Sequence, residues 1–132
     1  MAMDAKAVAE RFRTAVEARH LEGMIELLAP TVVFNSPVAY KPFRGSETVG
    51  AVLTAVFETF EEFRYVDAME GDELSGLVFK ARVGDREVEG IDLIRATADG
   101  RIAELTVMLR PASALMAMGE AMAPKVEALA KG

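Results

Sequence analysis

Asp92 stands in the run Val88-Glu-Gly-Ile-Asp-Leu-Ile. With strand alternation it shares a face with Val88, Gly90 and Ile94, while Ile91 and Leu93 lie on the other. Both faces around it are mainly apolar, so its carboxyl is expected to be semi-buried. Burial disfavours the charged form and raises a carboxyl pKa. A neutral carboxylic acid in a dry pocket can donate a hydrogen bond to a carbonyl oxygen, or hold a proton for transfer. The competing reading is a salt bridge to Arg82 or Arg110, or a bond to a buried backbone group; the two stand about even.

Asn35 and Ser36 end a β-branched, aromatic stretch just before Pro37. Polar groups at a strand end beside an apolar pocket can orient a ligand. They also cap turns well, and that reading comes first. His20 is the chain's one histidine. It is a candidate general base, although its place between two helices favours a boundary role. The chain lacks a Gly-x-Ser-x-Gly elbow, a Gly-x-Gly-x-x-Gly run and a P-loop. Nucleophilic triads and nucleotide phosphates are therefore not indicated.

Composition narrows the classes further. The chain has 132 residues, enough for one domain spanning 1–132. It has no cysteine and one histidine, so no metal site or cofactor is expected. Acids outnumber bases 21 to 15, for a net charge of −6, which argues against a nucleic-acid partner. No apolar run approaches the roughly 18 residues of a membrane span, and no secretory signal is seen at the start. A cytoplasmic protein without a membrane partner is expected.

The elements that must position these residues follow from periodicity. Val8, Phe12, Ala15 and Val16 mark a helix from Asp4 to about Ala18, with Asp4 as its cap. Leu21, Met24, Ile25 and Leu28 mark a second, ended by Ala29-Pro30. Residues 31–36 read as a strand and 37–45 as a structured loop. Ser46 is expected to cap a third helix, whose stripe of Val49, Val52, Leu53, Val56, Phe57 and Phe60 is the most hydrophobic face in the chain. Four strands follow at about 63–70, 74–83, 86–97 and 101–109, joined by Gly71-Asp72, Gly84-Asp85 and Asp99-Gly100. The tail 112–130 reads as a helix with Leu115, Met116, Met118 and Met122 on its apolar positions, a packing face or a soft lid. The fold class is α+β: a curved antiparallel sheet wraps a long helix as a cone, with an additional C-terminal helix.

On these features the chain resembles the nuclear transport factor 2-like superfamily, in its SnoaL-like and ketosteroid-isomerase-like branch. The likeness covers about residues 4 to 110. It rests on Glu26-Leu-Leu-Ala-Pro-Thr-Val-Val-Phe, on Asn35-Ser36-Pro37 with Phe43-Arg-Gly-Ser-Glu, on the long helix from Glu47, and on Ile91-Asp-Leu-Ile-Arg with Asp99-Gly-Arg-Ile-Ala-Glu. The resemblance implies a cone that binds small apolar molecules, often in a homodimer through the outer sheet face. The position of the ketosteroid isomerases' aspartate base is Ser36 here. Their oxyanion-hole tyrosine and carboxylic acid correspond to Phe12 and Asp92, and of these three groups only Asp92 is kept. The epoxide hydrolases' second aspartate is missing too, with Val107 opposite Asp92, although Arg82 and Asn35 stand near family positions. SnoaL-like cyclases need one acid/base aspartate, which Asp92 supplies.

Two functions follow as expectations. In one, an isomerase or cyclase uses Asp92 as acid/base or hydrogen-bond donor. Asn35, Ser36 and Tyr40 would orient the ligand, with Leu53, Phe57, Phe79 and Leu109 as walls. In the other, the protein is a non-catalytic ligand-binding or dimerisation module. Thr106 and Met108 point away from the presumed pocket, leaving an outer sheet face to pair with a second copy.

Overall fold

The computed structural model describes residues 4–131. Helix α1 (Ala5–Glu17) starts where the Asp4 carboxylate accepts the Ala7 N–H at 2.9 Å. That is the expected cap. Helix α2 (Leu21–Glu26) is shorter than its apolar spacing suggests, because Leu28 and Ala29 are drawn into strand β1 (Leu28–Asn35) and buried there. Pro30 is tolerated in that strand because the ladder to its neighbour is interrupted between Leu28 and Val33.

The loop read between 36 and 46 contains a two-residue strand, β2 (Phe43–Arg44), that the sequence pattern did not reveal. It leads into α3 (Ser46–Thr59). Ser46 is the first helical residue, and the cap is Gly45, with φ at 91° and no side-chain bond. Only glycine takes that backbone without strain. The Gly45 N–H bonds the Val32 carbonyl at 2.9 Å, pinning the start of α3 to β1. Strands β3 (Glu61–Glu70), β4 (Ser75–Val83), β5 (Arg86–Ala96) and β6 (Ile102–Arg110) form the meander, and α4 (Ala112–Lys131) closes the chain.

The six strands lie in the order β2-β1-β6-β5-β4-β3. All neighbours are antiparallel except β1 and β6, which run parallel. A parallel pair needs a long crossover, and here everything from β2 to β5 serves as one. The sheet is curved and unclosed. Register shifts in β3 at Glu61/Arg64 and Tyr65/Asp67, with Glu62 at φ 53°, bend its outer strand. Bulges increase local twist, which curls this edge over the inner face toward α1.

The core fills the hollow between that face and α1, α3 and α4. Phe12, Phe34, Phe79, Leu53, Ile94 and Leu105 are among its largest wholly buried side chains. Gly90 is required by a close approach: a Cβ there would lie 2.4 Å from the Phe79 ring, 2.7 Å from Leu109 and 2.8 Å from the Met108 carbonyl. Helix α4 buries Ala114, Met118 and Met122, four residues apart, while Met116 is 67% exposed. Met118 and Met122 are thus buried as expected and Leu115 is half-buried, whereas Met116 faces outward and Ala114 takes the inner position one turn before Met118. No helix of the described residues is long and apolar enough to cross a membrane.

Candidate functional site

Asp92 lies on the inner face of β5, between Leu77 of β4 and Val107 of β6 in register. It is 4% exposed. Its Oδ2 accepts a hydrogen bond from the Tyr65 hydroxyl at 2.8 Å. Burial pushes the Asp92 carboxyl from 3.8 up to about 7, and the Tyr65 bond pulls the other way. The Tyr65 hydroxyl is held well above its ordinary value, first by burial and then by the Asp92 charge. Arg13 sits 5.8 Å over the Tyr65 ring.

The arginines considered as partners of Asp92 are engaged elsewhere. Arg82 pairs with Glu61 and Glu62 at 3.3 and 2.8 Å, and Arg110 pairs with Glu89 at 3.4 Å. The ion-pair reading of Asp92 is thus replaced by a neutral partner. Tyr65 was not among the residues singled out from the sequence. The signal for it was present: Phe63 and Tyr65 alternate inward at the start of β3, and a buried phenol needs an acceptor.

Beside this pair, an apolar cavity of about 200 Å³ lies between α3, α4, β1 and β6. Val52, Val56 and Phe60 form one wall, Phe34, Val107 and Leu109 the sheet side, and Met118, Met122 and Val126 the α4 side. Residues 36–39 rim it, with Gly119 opposite Val38. Among the described residues, Ser36 supplies the only side-chain nitrogen or oxygen in the lining, and no titratable side chain takes part.

The sequence-predicted residues divide around this cavity. Ser36 and Leu109 line it. Asp92 does not; its cross-strand neighbour Val107 does. Leu53 and Phe79 are sealed in the core, and the Phe79 ring occupies the space above Gly90. Phe57 faces a separate hollow with His20, Glu58 and Phe63. The reason is helical: Leu53 and Phe57 lie about 100° round α3 from Val52 and Val56, so the broad stripe serves two compartments. Asn35 reaches across the parallel pair and donates to the Thr106 hydroxyl at 2.9 Å. Tyr40 is fully exposed on the loop and does not line the cavity.

His20 takes the N-cap position of α2 without a side-chain cap bond. Its ring lies over Gly23, where a Cβ would stand 2.6 Å from Nδ1. Among the described residues no group of three or more histidine, cysteine, aspartate or glutamate side chains is arranged to hold a metal ion.

Comparison with known proteins places this geometry. A steroid delta-isomerase from Pseudomonas aeruginosa is similar in structure with a TM-score of 0.88, at 38% identity, over 97% of this chain and 95% of that one. A cystatin-like-fold protein from Silicibacter pomeroyi DSS-3 follows at 0.87 and 32% identity, over 94% and 88%. An NTF2-like protein of unknown function from Mesorhizobium loti shares the fold at 0.70 with 18% identity, over 81% and 91%. No curated protein matches the chain. The SnoaL-like domain model matches residues 9–105, and with that match over most of its length the chain belongs to the SnoaL-like family.

Proposed function

We propose that this protein binds a small apolar molecule in the cavity between α3, α4, β1 and β6. The observation that carries this reading is the wall: apolar side chains throughout the described lining, with Ser36 at the rim. Sites of this kind bind by burying apolar area, while a few polar groups fix orientation. Tetralin is a suitable probe, because a cavity of about 150 Å³ takes benzene. Methionine-methyl NMR reads the binding. Tetralin should shift Met118 and Met122, which line the cavity, and leave Met69 and Met108, which are exposed, in place. No movement of Met118 and Met122 at saturating tetralin rejects the reading.

A second reading is isomerase-type proton transfer, favoured by the buried Asp92–Tyr65 pair one strand from the cavity and by the likeness to the Pseudomonas aeruginosa protein. A carboxylate near neutrality can remove a proton beside a carbonyl and return it to a second carbon. Here the ligand would reach Asp92 past the Val107 side chain. Conversion of a β,γ-unsaturated cyclic ketone to its α,β isomer, lost in Asp92→Asn, is the test.

The outer sheet face fits a second copy of the chain. Two rows cross it in register, the apolar Val78-Ile91-Met108 and the mixed Gly76-Leu93-Thr106. A basic row, Arg64-Lys80-Glu89-Arg110, borders one side. Arg95 with Glu73 and Glu104 borders the other. A copy turned end for end lays the basic row over the acidic one.

A further inference from the structure

We infer that Ser36 reads the ligand as a lone hydrogen-bond donor, so that the cavity selects uncharged apolar molecules carrying one acceptor oxygen. The inference rests on the apolar-cavity reading above and adds to it the polarity of the guest. A serine hydroxyl has two acceptor sites and one proton. Both acceptor sites of Ser36 are taken by its own loop: the Val38 N–H donates to Oγ at 3.1 Å and the Ala39 N–H at 3.3 Å. What remains is the proton, and among the described residues no acceptor meets it. Accepting two bonds polarises the O–H and strengthens it as a donor.

The rest of the lining sets the other half of the selection. With no titratable side chain on the wall among the described residues, a carboxylate or ammonium group would be buried without a counter-charge and is disfavoured. A ligand N–H or O–H would find no free side-chain oxygen, since the one present already accepts twice. A ketone, ester or ether oxygen needs only the donor that Ser36 has left. The volume of about 200 Å³ suits one or two rings.

The position of Ser36 explains how the proton is kept free. Pro37 follows it, and the turn folds Val38 and Ala39 back onto Oγ. The loop thereby occupies the acceptor sites, and the same residues form the cavity rim.

A matched pair of probes tests this: 1-tetralone, with one carbonyl, and tetralin, without it. Both are titrated into the full chain, its Ser36→Ala variant and its Ser36→Thr variant, following the Met118 and Met122 methyl signals. Ser36→Ala should weaken 1-tetralone by about three- to tenfold, the range of one neutral hydrogen bond, and leave tetralin unchanged. Ser36→Thr, which keeps the hydroxyl, should retain wild-type affinity for the ketone. If Ser36→Ala weakens both probes equally, or neither, the donor role is overturned while the cavity reading stands. If neither probe moves the two methionines in the wild-type chain, the cavity reading fails and this inference falls with it.

Discussion

The Tyr65 hydroxyl and the Asp92 carboxylate face each other at 2.8 Å across two strands of the sheet, and both side chains are buried. The pair places a titratable group in the apolar interior with a single neutral donor. Its behaviour with pH follows from that environment.

Burial raises the Asp92 carboxyl from 3.8 to about 7 in the folded chain. The protonated form is therefore the stabilising one. Its contribution is complete below about 3.8 and is gone once the pH has passed about 7. A shift of that size corresponds to the order of 4 kcal/mol. Asp92→Asn removes the titration and keeps a polar group for Tyr65. Denaturation of both proteins between pH 4 and pH 8 should show the variant gaining on the wild type as pH rises. A constant difference across that range would mean that Asp92 does not titrate there.

Tyr65→Phe deletes the donor and leaves the carboxyl in place. The hydrogen bond lowers the Asp92 value, so its loss should move the titration above about 7. The stability cost should be about 1–3 kcal/mol at pH 8, where the ionised group is left without a partner, and smaller at pH 5. Carboxyl carbon NMR of Asp92 reads the first effect and urea denaturation the second.

Gly90→Ala should cost about 3 kcal/mol. The added methyl meets the Phe79 ring, Leu109 and the Met108 carbonyl, and the carbonyl belongs to a paired strand that cannot move aside. Leu109 yields toward the cavity it lines, so the variant should also bind tetralin more weakly. Denaturation midpoints and the methionine titration check the two effects separately.

Met108 is 55% exposed in the middle of the outer face. If two copies meet there, Met108→Glu buries a charge without a partner and should convert a dimer into a monomer, with the melting temperature of the monomer unchanged. Light scattering at micromolar concentration shows the mass directly. A wild-type chain already of monomer mass would end the dimer proposal.

The sequence made some of these relationships readable and hid others for physical reasons. The burial of Asp92 was legible because its strand neighbours at two-residue spacing are all apolar or glycine. Tyr65 was harder: β3 is otherwise largely exposed, and two register shifts break its alternation. The α3 stripe announced a buried helix but not that Val52 and Leu53, adjacent in sequence, would serve different compartments. Tyr40 sits in a loop with no periodicity to say which way it points. The parallel pairing of β1 with β6 is a contact between segments about 70 residues apart, to which local pattern is blind.

Helix α4 lies beyond residue 105, where the match to the SnoaL-like domain ends, and Met118, Met122 and Val126 complete the cavity. One side of the hollow is thus finished by a helix and not by the sheet. Changes confined to those three positions would retune which guests are accepted without altering a single strand.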